Sequence, residues 1–366
     1  MKSYRCLCRP CRILTICIFL IVLLTSCAPI RRSEDPSPSN EPLPNATPSP
    51  SPRTLMNGII PMPIASSYMT YYAIQTDGTL IGWGDNLRGL INYPDSLPSY
   101  KDAVVMMEDA AAVYAGNWAT LILRSDGTLW GVGSGLFGLL PDRSPSQDVY
   151  EPLILMEDVV MAAVSSESAC ALRSDGTVWL WGNSKEFQPE QILEDIVKIK
   201  ADSGDFYALG ADGTLYVWGS LLPLEVDRNE YWSTPQPILE GVTDMASTGH
   251  RLLIQKSDSS LWRMGWWEGY RYQPLEKWME DVSYFTSDLA VTKDHILWDL
   301  SSGSPVRIME NVVCAVNGEQ GILALDWNGG LWMLNLKADS SVDAERLCDN
   351  IWIPESWNVQ MESFNI

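Results

Sequence analysis

Hydrophobic and polar residues alternate along most of this chain, and one kind of turn interrupts the alternation at intervals. In the stretch from Ser174 to Gly182, SDGTVWLWG, an apolar run ends at Asp175-Gly176 and a second begins at Val178. Variants of the stretch begin at Asp77, Asp126, Asp175, Asp212, Asp258, Asp294 and Asn328, seven in all. Most of the turns are Asp-Gly or Asn-Gly, which tolerate positive φ and so join two strands in a tight hairpin.

A second marker precedes the hairpins: Glu108-Asp109, Glu157-Asp158, Glu194-Asp195, Glu240-Gly241, Glu280-Asp281 and Glu310-Asn311, each followed by Ala, Val or Ile. Its middle residue lies seventeen positions before the hairpin Asp or Asn in five units and thirteen before Asp294, where a loop is expected to be trimmed. Hairpins recur every 34 to 49 residues, a period typical of solenoids, propellers and arrays. Each unit offers four short strands, as in VVMAAV, ACALRS, TVWLWG and PEQILED of the third, which is the make-up of a propeller blade.

The third strand carries Ile81, Trp130, Trp179, Tyr216, Trp262, Trp298 or Trp332 four residues after the turn. An apolar residue two positions on shares its face, while Leu80, Leu129, Val178 and their counterparts point the other way. Both faces are apolar, as a blade packed between neighbours requires, and each buried side chain contributes about 1.5–3 kcal/mol. Sixteen tryptophans could suggest a sugar-binding protein, but at least seven occupy this register, so they are assigned to packing. The expected fold is all-β, a seven-bladed β-propeller of four-stranded antiparallel blades over residues 55–366.

The units resemble the regulator of chromosome condensation (RCC1-like) repeat family, whose propellers have seven blades. The resemblance is carried by DGT-x-W-x-W-G, by the preceding A-L-R-S-D run, by the lead-in PLILMEDV at Pro152 and by the glycine-rich WGDNLRGLI after the first hairpin, with GVGSGLFGLL a looser copy. A WD repeat is not supported, because its Gly-His marker is absent and Trp298-Asp299 occurs once. The resemblance implies protein recognition, since relatives bind small GTPases or, among secreted bacterial members, enzymes that they inhibit. Lead-in strands are read at both ends, at Leu55–Ile59 and Glu345–Ile351, giving eight for seven hairpins. The terminal copy is expected to complete a blade begun by the other end of the chain, which would remove exposed edges.

The N-terminus changes where such a propeller would work. Basic residues Lys2, Arg5, Arg9 and Arg12 precede an apolar run from Ile16 to Leu24, too short to span a bilayer and suited to a secretory signal. It ends in Leu24-Thr25-Ser26-Cys27, which resembles the bacterial lipobox. Residues 1–26 are read as a lipoprotein signal peptide, Cys27 as the lipid attachment site and 27–54 as a lipidated, Pro/Ser-rich stalk that cannot bury a core. The alternative is an ordinary cleavage site with an incidental cysteine. The location expected is the cell membrane, lipid-anchored and facing the extracytoplasmic side.

Loss of the four basic residues with the signal takes the formal charge from −21 to −25. So acidic a chain argues against nucleic acid and against direct electrostatic attachment to anionic lipid. The membrane is therefore expected to be a partner only through Cys27, and the protein to be monomeric. Cys170, Cys314 and Cys348 remain after processing; buried free thiols are expected, with a Cys314–Cys348 pair left open.

Catalytic chemistry is sparse. His250 and His295 fall at different positions of different units and have no partner at metal-ligand spacing. Neither nucleophile-elbow, zinc-protease nor phosphate-loop patterns occur, and ADSGDF at 201–206 lacks the remaining ligands of a calcium loop. No metal, cofactor or enzymatic activity is expected. What varies between units is the loop joining the first two strands, eight residues before each hairpin: Met69, Trp118, Glu167, Gly204, His250 and Gln320, with Asp288 near that place in the trimmed unit. Equivalent loops of a repeat surround one mouth of the channel, so these residues, with Tyr68 and Asp205 beside them, are the candidate partner-binding set. Trp118, in AGNWATLIL, lies outside the packing register and is the foremost candidate. The expected task is non-catalytic binding of a protein partner at the cell envelope; the alternatives are glycan binding and an envelope hydrolase.

Overall fold

A computed structural model of the chain describes residues 58–86, 88–91, 99–141, 148–184, 186–202, 204–219, 234–248, 251–267, 271–302, 304–337 and 341–354. The signal, Cys27, the stalk and His250 lie outside the described residues. The strands form seven four-stranded antiparallel sheets, each from one contiguous stretch with its strands in sequence order. Blades 1 to 7 span 64–107, 110–156, 159–193, 196–239, 244–279, 282–309 and 312–348. The core is a ring of clusters between neighbouring blades; Tyr72 and Leu80 of blade 1, for example, pack on Ile122 and Val132 of blade 2.

The hairpin motif is a hydrogen-bond relay. In blade 3, Thr177 donates to Asp175 Oδ1 from its amide at 3.0 Å and from its hydroxyl at 2.6 Å, and Trp179 Nε1 donates to Thr177 Oγ1 at 3.1 Å. The same chain runs through Asp126, Thr128 and Trp130, and through Asp258, Ser260 and Trp262. The half-buried indole thus keeps its one polar atom satisfied, while Leu129, Val178 and Leu261 on the opposite face are fully buried.

These bonds favour the carboxylate form. Thr177's hydroxyl and then its amide hold Asp175 below the usual carboxylate range, and Ser260 does the same for Asp258. A depressed native pKa adds stability that is complete above the unfolded value and is lost as pH falls through the native one. Melting temperature is therefore expected to drop on acidification through and below the ordinary carboxylate range, and Thr177→Val to melt lower at neutral pH but to lose less on acidification, so that the two curves converge in acid. Coincident pH–Tm curves for parent and variant would refute the relay.

The marker owes its constant position to backbone geometry. Asp109, Asp158, Asp195, Asp281, Asn311 and Asn350 have φ between 54 and 64°, and Gly241 has φ 70°, a left-handed conformation that Asp, Asn and Gly tolerate better than other residues. In this conformation Val159 N donates to Gly127 O of the preceding blade at 2.9 Å, and Asp158 O accepts from Ser174 N of its own blade at 2.8 Å. The marker is the stitch between blades, and the stretch from stitch to hairpin is two strands and a loop. In blade 6 the loop is not what has shortened. Val282–Phe285 and Leu289–Thr292 each have four residues where the corresponding strands of blade 3 have six. Removing two residues per strand preserves which side chains face inward.

Ring closure also departs from expectation. The terminal Asn350-Ile351 adds no strand to a shared blade; it repeats the stitch. Ile351 N donates to Gly329 O at 3.0 Å, Thr76 N to Asn350 O at 2.9 Å and Trp352 N to Ile74 O at 2.9 Å. No exchanged strand is needed, because blade 7 already packs face to face on blade 1 through Leu323, Leu325 and Met333 against Ile64, Tyr71 and Ala73. At the other end, Leu55–Asn57 lie outside the described residues, and Ile59–Met62 run past blades 3 and 2, with Ile60 N donating to Val160 O and Val113 N to Met62 O. Cys170, Cys314 and Cys348 are free. Cys314 and Cys348 sit on the inner and outer strands of blade 7, three strand spacings or roughly 14 Å apart, which excludes the pair left open by the sequence.

Candidate functional site

Seven inner strands surround a channel of about 820 Å³. Its wall is apolar along Met62, Val113, Val164 and Val316, and polar where blades 4 and 5 meet. There Asp244 pairs with Lys198 at 2.9 Å and Lys200 at 3.5 Å. Burial holds Lys200 below its ordinary value, and the two lysines outweigh burial to hold Asp244 below its own. Among the described residues, no group of three or more His, Cys, Asp or Glu is placed to hold a metal.

The loops between first and second strands lie at one end of the ring, and the hairpins and stitches at the other. In blades 2, 3 and 6 this loop has three residues, and the carbonyl of the last accepts a bond from the end of the third strand: Ser134 N to Trp118 O, Asn183 N to Glu167 O and Leu300 N to Asp288 O, each 2.7 Å. This closure explains the final glycine of the repeat. Gly182 has φ +102°, and a Cβ there would come within 2.5 Å of Glu167 O.

Trp118 is the centre of the best-built part of this face. The Arg88 guanidinium lies 3.9 Å above its ring, and Phe137 meets it edge-on at 5.7 Å. Arg88 Nη1 also donates to Asn117 O at 2.6 Å. Asn117 spans three blades, accepting from Ser67 Oγ at 3.1 Å and donating to Ser166 Oγ at 3.2 Å. Arg88 and Phe137 come from the two glycine-rich loops seen in the sequence, DNLRG and SGLFG, which supply two sides of one aromatic clamp. Neither residue belongs to the candidate set that the loop pattern of the sequence defines. The signal was present, since only the first two units keep those loops and Trp118 stands between them.

The other candidates divide. Tyr68 is 60% exposed with φ 51°, and its carbonyl accepts from Glu319 N at 2.9 Å. Met69 is half-buried and Glu167 exposed. Gln320 is exposed and its backbone N–H donates to Tyr71 Oη at 2.9 Å. Asp288 is paired with Arg251 of blade 5 and accepts from Ser287 Oγ at 3.1 Å, so its carboxylate joins two blades. Asp205 is buried at the start of the second strand of blade 4, which removes it from the surface a partner could touch. Tyr68, Met69, Trp118 and Gln320 thus gather on blades 7, 1 and 2, while Glu167 lies on blade 3 and Asp288 on blade 6.

Neither a family model nor a curated relative matches the chain. Among solved structures, it is similar to yeast RCC1 (Prp20) in complex with Kap60, with a TM-score of 0.62 and 14% identity over 89% of this chain and 100% of that one. Human WBSCR16 matches with a TM-score of 0.58 and 15% identity, covering 71% of this chain and 85% of its own. Prp20p of Saccharomyces cerevisiae, described with its binding to Gsp1p and histones, matches with a TM-score of 0.53 and 14% identity over 82% and 85%. At these identities the likeness is one of fold, and the fold of this chain is an RCC1-like propeller.

Proposed function

We propose that this chain is an exported lipoprotein, anchored through Cys27, whose propeller binds a protein partner at the cell envelope without catalysis. The observation that carries this reading is the Trp118 clamp: an aromatic outside the packing register, held between Arg88 and Phe137 on the varied loop face. A pre-ordered aromatic beside an arginine is the usual composition of an interface hot spot. Yeast RCC1 bound to Kap60 offers a precedent for protein recognition on this fold.

Two experiments test the reading. Crosslinking of the full chain in envelope extracts, followed by mass spectrometry, is expected to return one defined protein whose affinity falls at least about tenfold for Trp118→Ala. Retention of the parent, but not the variant, on cell-wall polysaccharide would replace the protein with a glycan. For the anchor, a fatty-acid analogue is expected to label the parent and not Cys27→Ala; equal labelling would refute lipidation at that residue.

A further inference from the structure

The outer strands of the blades differ at one register position, opposite the third-strand residue four places after the hairpin Asp or Asn, which is Ile81 in blade 1 and an aromatic in the other six. In blades 5, 6 and 7 it holds Lys277, Arg307 and Arg346. Each pairs with the acidic residue three positions on: Lys277 with Glu280 at 2.8 Å, Arg307 with Glu310 and Arg346 with Asp349. A charge on an outermost strand discourages other chains from docking, and here it also neutralises the acidic residue of the marker. Blades 3 and 4 carry the neutral Gln191 and Pro237.

Blades 1 and 2 reverse the pattern. The position holds Val105 and Ile154, which are 59% and 52% exposed. Three residues on, Glu108 and Glu157 are exposed and have no ion-pair partner among the described residues. Each rim thus shows an uncovered β-branched side chain followed by an unneutralised carboxylate. The outer strand is bulged at this point, so side chains rather than a continuous backbone ladder are what it offers.

We propose that the rim of blades 1 and 2 docks an extended basic segment of a partner protein. An aliphatic side chain of the segment rests on Val105 or Ile154, and its lysine or arginine meets Glu108 or Glu157. Charge complementarity selects this occupant over the chain's own C-terminal residues and over a second copy. The chain's own residues 355–366 contain Glu355 and Glu362 and no lysine or arginine. A second copy docking rim to rim would bring glutamate against glutamate.

The test uses the full chain and a fluorescein-labelled peptide of alternating lysine and valine, read by anisotropy at physiological salt, with a glutamate–valine peptide as control. The basic peptide is expected to bind and the acidic one not to. Val105→Lys and Ile154→Lys recreate the pairing of blades 5 to 7 and are expected to fold; together they should weaken binding about tenfold or more. Gln191→Lys, which adds the same charge on blade 3, and Trp118→Ala, on the loop face, are expected to bind as the parent does. The proposal is overturned if the basic peptide does not bind, if both peptides bind equally, if Gln191→Lys weakens binding as much as the rim variants, or if Trp118→Ala abolishes it. It is equally overturned if sedimentation shows a dimer of the parent that the rim variants dissolve, since the occupant would then be a second copy.

Discussion

Gly84→Ala is expected to destabilise the propeller by about 3 kcal/mol, combining left-handed strain with loss of a loop-closing bond. Gly84 has φ +101°, and an added Cβ would come within 2.0 Å of the Met69 carbonyl oxygen. That carbonyl accepts from Asp85 N at 3.0 Å, and Thr70 Oγ1 donates to Asp85 O at 2.8 Å. The obstacle is backbone, so no rotamer change relieves it, and the loop carrying Tyr68 and Met69 must move. Gly241 is the control. It also has positive φ, at +70°, but a Cβ there meets nothing within 4 Å, and Asn311 and Asn350 occupy the same conformation at equivalent places. Gly241→Asn is expected to stay within about 0.5 kcal/mol of the parent. Urea denaturation of both variants measures the contrast, and equal losses would show that φ, rather than the carbonyl contact, governs the repeat's glycine.

Truncation after Asp349 is expected to cost roughly 5 kcal/mol. It removes Ile351, which is 1% exposed in the cluster joining blades 7 and 1, a loss of about 2–5 kcal/mol by comparison with other buried aliphatics. It also removes the bonds from Ile351 N to Gly329 O, from Trp352 N to Ile74 O and from Thr76 N to Asn350 O, each worth about 1 kcal/mol. A loss of that size approaches the whole stability of many domains. Hydrogen exchange should localise the damage: the amide of Thr76 is expected to lose protection, while that of Ser174, in the blade 3 stitch, changes less. A truncated chain that melts like the parent would mean that face-to-face packing of blades 7 and 1 closes the ring unaided.

Much of the architecture was legible because a repeat reports the same constraint several times. One Asp-Gly hairpin is a weak signal; the recurrence of Leu129, Val178 and Leu261 beside Trp130, Trp179 and Trp262 leaves little freedom in strand register. The constant spacing from Asp158 to Asp175 was legible too, and its cause became plain with the bond from Ser174 N to Asp158 O. The candidate site was half legible. Trp118 stood out because it breaks the packing register, and the structure places it on the loop face. Asp205 stood beside it as a lesser candidate, because a loop residue and the first residue of a buried strand are indistinguishable in a polar turn. Arg88 and Phe137 were missed because their contact with Trp118 joins residues of separate loops, which no periodicity encodes.

By itself, then, the sequence determined the local elements: hairpins where Asp-Gly or Asn-Gly permits positive φ, strands where apolar residues alternate, and seven blades because the unit occurs seven times. Those are short-range consequences of backbone conformation and side-chain pattern. The tertiary structure alone decided how the ring closes, that Cys314 and Cys348 stand too far apart to pair, which loop residues are exposed, and that Val105 and Ile154 lie bare where the rims of blades 5 to 7 carry cations. Each of these depends on distances between segments remote along the chain, which packing sets and spacing does not record.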